Sequence, residues 1–108
     1  IQGQFVGVNE EETIPNNFEL SQNYPNPFNP STVISFALPT ESKVKLQIFN
    51  TLGELITTLV DETKSAGIHN FKWNASNLAS GVYLYRINAE STSNSKAFNT
   101  VKKMILMK

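Results

Sequence analysis

Residues 43–49, KVKLQIF, alternate strictly: Lys43, Lys45 and Gln47 take one side, and Val44, Leu46 and Ile48 the other. A period of two is the mark of a β-strand with one buried face. The same alternation runs through 32–38, where Ile34, Phe36 and Leu38 share a side. Further strands are expected at 18–22, 54–60, 68–73, 81–89 and 100–107. Turn signals separate them every 8–12 residues, the spacing of an all-β sandwich or barrel. Asn50-Thr51-Leu52-Gly53 predicts a tight turn, with Gly53 at positive φ. One stretch, NTLGELITTLVDE, competes as a helix, but Gly53 interrupts it and its ITTLV core is β-branched. Seven strands, each with one apolar face, must form two sheets packed face to face. The expected fold is an all-β, immunoglobulin-like sandwich of about seven antiparallel strands.

Ahead of the first clear strand stands YPNPFNP, residues 24–30, with three prolines and two asparagines. Proline fixes φ and lacks an N–H, and it pushes the preceding residue toward extended geometry. Pro25 and Pro27 are two apart, so in an extended chain their missing donors fall on one side. No regular ladder can form there. The stretch is expected to be a stiff corner that blunts a sheet edge, with Tyr24 and Phe28 free to pack. Residues 1–17 are mostly polar without a helical period and read as a linker, which leaves 18–108 as the folded domain.

Length changes this picture little. A chain of 108 residues suits one domain, and roughly 65% of its unfolded surface can be buried without staples. Its first residue is Ile1, and a longer parent protein is expected. There are no cysteines, so disulfides and thiolate metal sites are excluded. Nine cations balance nine anions, which argues against a general polyanion or nucleic-acid binder. The balance is uneven along the chain: Glu10, Glu11 and Glu12 make the front acidic, while Lys96, Lys102, Lys103 and Lys108 make the end basic. No apolar run approaches a membrane span, and no leader peptide is visible.

Candidate chemistry is sparse. The lone histidine, His69, falls on an expected strand among apolar neighbours, and no nucleophile elbow accompanies it. Asp61 is the single aspartate, too few for a calcium loop. The five glycines are scattered, so no phosphate-cradling loop is present. No catalytic residue, cofactor or metal site is expected. Tyr83 and Tyr85 share one strand face, as do Phe71 and Trp73; exposed they could stack on sugar rings, and buried they are core. Asn74-Ala75-Ser76 matches the N-glycosylation triplet, a frequent chance match. The end, VKKMILMK, reads either as a final strand with lysine gatekeepers or as a displayed peptide that another protein grips by strand addition.

Taken together, LSQNYPNPFNPST, the LGE turn, LASGVYLYR and the lysine-bounded KKMILMK, in that order over residues 18–108, resemble the type A C-terminal sorting domain of the type IX secretion system. That resemblance implies an address and not a catalyst. A cargo domain upstream in the same chain would cross the periplasm and be recognised by the outer-membrane machinery. It would then be cut from its tag by a sortase-like protease in the preceding linker and left at the cell surface or outside the cell. By the same resemblance the family motifs fall on Pro25, Asn26, Pro27, Phe28, Asn29 and Pro30, on Gly81, Val82 and Tyr83, and on the tail. The first two sets are expected to serve stability. Lys102, Lys103, Met104, Leu106 and Lys108 are expected to contact the translocon. The competing reading is a carbohydrate-binding or structural accessory sandwich on a polysaccharide-degrading enzyme, because sandwiches host many functions.

Overall fold

A computed structural model describes residues 14–108. Seven strands follow one another: β1 (Glu19–Leu20), β2 (Ser31–Leu38), β3 (Ser42–Phe49), β4 (Leu55–Lys64), β5 (Gly67–Asn74), β6 (Gly81–Ser91) and β7 (Ala97–Leu106). They form two antiparallel sheets, β1-β2-β5 and β4-β3-β6-β7. The chain is an immunoglobulin-like β-sandwich, as the alternation requires.

Alternation becomes packing directly. Val44, Leu46 and Ile48 of β3 meet Tyr83, Tyr85, Ile87 and Ala89 of β6 and Met104 and Leu106 of β7 on one inner face. The opposing sheet contributes Leu20, Ile34, Phe36, Leu38 and Trp73. Each large aliphatic or aromatic side chain so buried stabilises by ~1.5–3 kcal/mol. At the Asn50 turn, the side-chain Oδ1 accepts from the N–H groups of Leu52 and Glu54, and Gly53 takes φ 86°. A side chain there would strain the backbone.

Three elements differ from the alternation pattern. β4 runs on through Asp61–Lys64, which the sequence assigns to a loop. It is an edge strand, so its charged side chains stay in water while the backbone pairs Asp61 with Lys45 and Thr63 with Lys43. β7 starts at Ala97, because β6 extends to Ser91 and pairs Glu90 with Ala97. β1 is only two residues long: after Leu20 the chain dips inward at Asn23, whose N–H is taken by a buried side chain instead of by β2.

Candidate functional site

The proline corner changes sheets. Tyr24 N–H donates to Val33 O at 3.0 Å, and Val33 N–H donates back at 2.9 Å, so this residue still belongs to the β1-β2-β5 sheet. Four residues on, Phe28 N–H donates to Ile105 O and Met107 N–H donates to Phe28 O, both at 2.9 Å, in a parallel pairing with β7 of the other sheet. Pro25 and Pro27 lie between and offer no N–H, so the segment cannot stay on β2 and is released to cross. All three X–Pro bonds of the corner are cis. Phe28 plugs the core against Trp73, with ring centroids 6.0 Å apart. Tyr24, expected to pack, is instead 80% exposed.

This crossing covers the outer edge of β7 from Lys103 onward. Besides the two Phe28 bonds, Asn26 Oδ1 accepts from Ile105 N–H at 2.9 Å and Gln22 Nε2 donates to Lys103 O at 2.8 Å. Four outward main-chain groups of the terminal strand thus find partners between Gln22 and Phe28. A covered edge cannot recruit a foreign strand.

A buried polar network fixes the segment from within. Tyr85 Oη donates to Ser21 O at 2.7 Å and accepts from Asn23 N–H at 2.8 Å. Asn23 Nδ2 donates to Pro25 O and to Thr32 Oγ1, and Thr32 Oγ1 donates to Pro25 O. Asn23, Thr32 and Tyr85 are all buried, and buried polar groups persist only when partnered. Burial pushes the Tyr85 phenol up to about 12, and the bond from Asn23 partly opposes the rise. Phenylalanine at Tyr85 takes the partner from the buried Asn23 N–H and from Ser21 O and is expected to cost about 1–3 kcal/mol in urea unfolding at neutral pH. The phenol ionises near the usual tyrosine value of 10.0 when unfolded and near 12 when folded. Wild-type stability therefore carries a component that is intact below pH 10 and lost as the pH climbs from 10 through 12. The Phe variant should lack that component.

The tail divides by parity. Met104 and Leu106 are 0% and 1% exposed and belong to the core. Neither presents a surface to a partner of the folded domain. Lys102 is half-buried, and Lys103 and Lys108 are exposed. Lys108 is tied down: its N–H donates to Ser80 Oγ at 3.0 Å and its Nζ to Ser76 O at 2.7 Å. The start of β6 lies alongside, with Gly81, Val82 and Tyr83 paired to Leu106, Ile105 and Met104. Gly81 has φ 154°, which disfavours a side chain, and Tyr83 Oη donates to Ala79 O at 2.7 Å.

Three groups distant in sequence therefore meet at one pole: residues 25–30, 81–83 and 103–108. Gln22, Asn23, Thr32 and Tyr85, which hold the pole together, carry no sequence signal beyond lying near or within a proline-rich word or an alternating strand.

Elsewhere the side chains serve packing. His69 stacks on Phe36, and its Nε2–H donates to Ser65 O at 2.8 Å. Tyr83, Tyr85 and Trp73 are buried and Phe71 is partly buried, so they form no stacking platform for sugar rings. Among the described residues no group of three or more His, Asp or Glu is placed to hold a metal ion. Among the described residues no helix is long and apolar enough to cross a membrane.

Two sheets packed face to face, with the sequence motifs gathered at one pole around the fastened strand β7, make this an immunoglobulin-like β-sandwich module. The chain is a member of the secretion system C-terminal sorting domain family, whose sequence profile matches residues 22–106. The family is that of type IX secretion and is not catalytic, and membership implies export to the cell surface or the extracellular space. A search of curated protein sequences finds no match. Among solved structures the chain is similar to dimeric latent PorU from Porphyromonas gingivalis, at 20% identity and a TM-score of 0.62 over 86% of this chain and 10% of that one. It is similar to CopC from Methylosinus trichosporium OB3b at 15% identity and a TM-score of 0.54, over 83% of this chain and 93% of that one. PorZ, described as an essential bacterial surface component of the type-IX secretion system of Porphyromonas gingivalis, aligns at 20% identity and a TM-score of 0.46, over 86% of this chain and 12% of that one. The chain thus spans about a tenth of the length of PorU and PorZ.

Proposed function

We propose that residues 18–108 direct an upstream cargo across the outer membrane through the type IX machinery, and that residues 1–17 are the linker in which a sortase-like protease cuts. The cargo crosses the periplasm first and ends at the surface or in the medium. The domain itself catalyses nothing. The observation that carries this reading is the family match across 22–106, which takes in the proline corner, the start of β6 and all of β7. Of the tail residues, Lys102, Lys103 and Lys108 are the contacts to the translocon, while Met104 and Leu106 act from inside by holding β7 in place.

The test is a fusion of the whole 108-residue chain behind a fluorescent reporter with a periplasmic signal, in a type IX-competent host. Reporter is expected in the medium or on the surface, and in the periplasm when the chain is omitted or the machinery is disabled. Equal retention of both fusions in the periplasm would sink the reading.

A further inference from the structure

We propose that the exposed faces of the proline corner and the terminal strand form one docking surface for a carboxylate-bearing protein, with Tyr24 as its apolar anchor and Lys103 and Lys108 as its cations. This rests on the sorting reading and says what the partner must recognise: a folded, discontinuous surface and not a linear tail.

Four observations lead there. The first is placement. Tyr24 lies between two side-chain contacts to β7, Gln22 with Lys103 O and Asn26 with Ile105 N–H, so the corner and the strand are one surface. The second is exposure. Tyr24 is 80% and Met107 59% exposed, and Pro25, Asn26, Pro27, Lys103 and Lys108 are also in solvent. Tyr24 is thus a large aromatic side chain without a packing role, on a backbone fastened at both of its main-chain groups. Rigid aromatic anchors of this kind dominate protein interfaces because little freedom is lost when they are covered.

The third observation is charge. Residues 20–40, 65–89 and 91–108 contain six cations and no carboxylate. The one ion pair among the described residues, Lys64–Glu62, lies elsewhere. Among the described residues Lys103 and Lys108 thus have no counter-ion, and Lys108 Nζ is held in a fixed position on Ser76 O. Complementary carboxylates on a partner would supply both specificity and encounter rate. The fourth is the fastening itself. The outward main-chain groups of β7 from Lys103 O to Met107 N–H are already taken, so a partner meets side chains at this pole and does not add a strand there. An anionic lipid surface fits less well. Lipid recognition calls for clusters of 4–8 cations, whereas this surface has two, on a chain of zero net charge.

The same fusion tests the idea with variants that leave the core intact. Tyr24→Ser is expected to lower the exported fraction about fivefold or more, as is Lys103→Gln combined with Lys108→Gln. Lys96→Gln, on the turn at the other end of β7, should export normally. Each purified variant should keep the wild-type unfolding midpoint. A reporter ending in residues 102–108 alone should stay in the periplasm. Normal export of Tyr24→Ser, or export of the short tail, would overturn the composite surface while leaving the sorting reading standing. Failure of the unaltered fusion to leave the cell would overturn both. Co-sedimentation of the purified chain with vesicles of equal parts phosphatidylglycerol and phosphatidylcholine, lost in Tyr24→Ser, would overturn the protein partner.

Discussion

Deleting residues 102–108 is expected to unfold the sandwich, not merely to erase an address. The deletion takes Met104 and Leu106, both essentially without solvent exposure, out of the core. Truncating a buried Leu or Met to Ala typically costs ~2–5 kcal/mol, and here two are lost entirely. It also takes from Gly81, Val82, Tyr83, Leu84 and Tyr85 of β6 their partners on β7, and it strips the proline corner of its four bonds to β7. A domain of this size has a total stability of ~5–15 kcal/mol. The truncated chain, expressed alone, should show no cooperative urea transition and should be cut rapidly by a nonspecific protease. A truncated chain that kept a cooperative transition near the wild-type midpoint would contradict the packing described above. Lost export on truncation is therefore no measure of recognition. Lys103→Gln and Lys108→Gln are the informative changes, since surface substitutions usually stay within ~0.5 kcal/mol.

Phe28→Ala is expected to cost ~3–5 kcal/mol, the range for a buried phenylalanine whose site cannot collapse. Phe28 is 2% exposed and sits on the segment that hydrogen-bonds first to β2 and then to β7, against Trp73. Its main-chain bonds to Ile105 and Met107 need no side chain, but the ring holds the backbone at that height. Urea unfolding should show a lower midpoint with little change in slope. Amide exchange at Met107, whose N–H donates to Phe28 O, should accelerate more than exchange at Leu46 in the central strand β3. A loss under 1 kcal/mol, or equal acceleration at both amides, would count against Phe28 as the joint of the two sheets.

Alternation disclosed most of the architecture. In KVKLQIF the polar and apolar positions separate cleanly, and β3 appears within one residue of its expected place. In VKKMILMK alternation cannot choose a side. One parity holds Lys102, Met104, Leu106 and Lys108, the other Val101, Lys103, Ile105 and Met107, so each mixes lysine with apolar residues. The face is chosen by the opposing sheet, and a strand's register cannot be read where both of its faces look alike. Edge strands were the other weak point: in β4 the backbone pairs regardless of the charges on Asp61 and Glu62. The pole itself was beyond local reading. Asn26 and Ile105 are 79 positions apart, and their bond uses a side-chain oxygen as a substitute for a strand neighbour. Asn23 and Thr32 are polar residues in the interior, where patterning predicts apolar ones. Only the network with Tyr85 Oη accounts for them.

The parallel pairing of the corner with β7 has a mechanical side. Both segments run toward the same pole, so a pull on the chain upstream of Phe18, opposed by a hold on Lys108, slides the two past each other. The two Phe28 bonds and the Asn26 and Gln22 contacts are then stressed together instead of opening one at a time. Tension between whatever precedes this domain and whatever grips its end is met in shear, the direction in which such a clasp yields last.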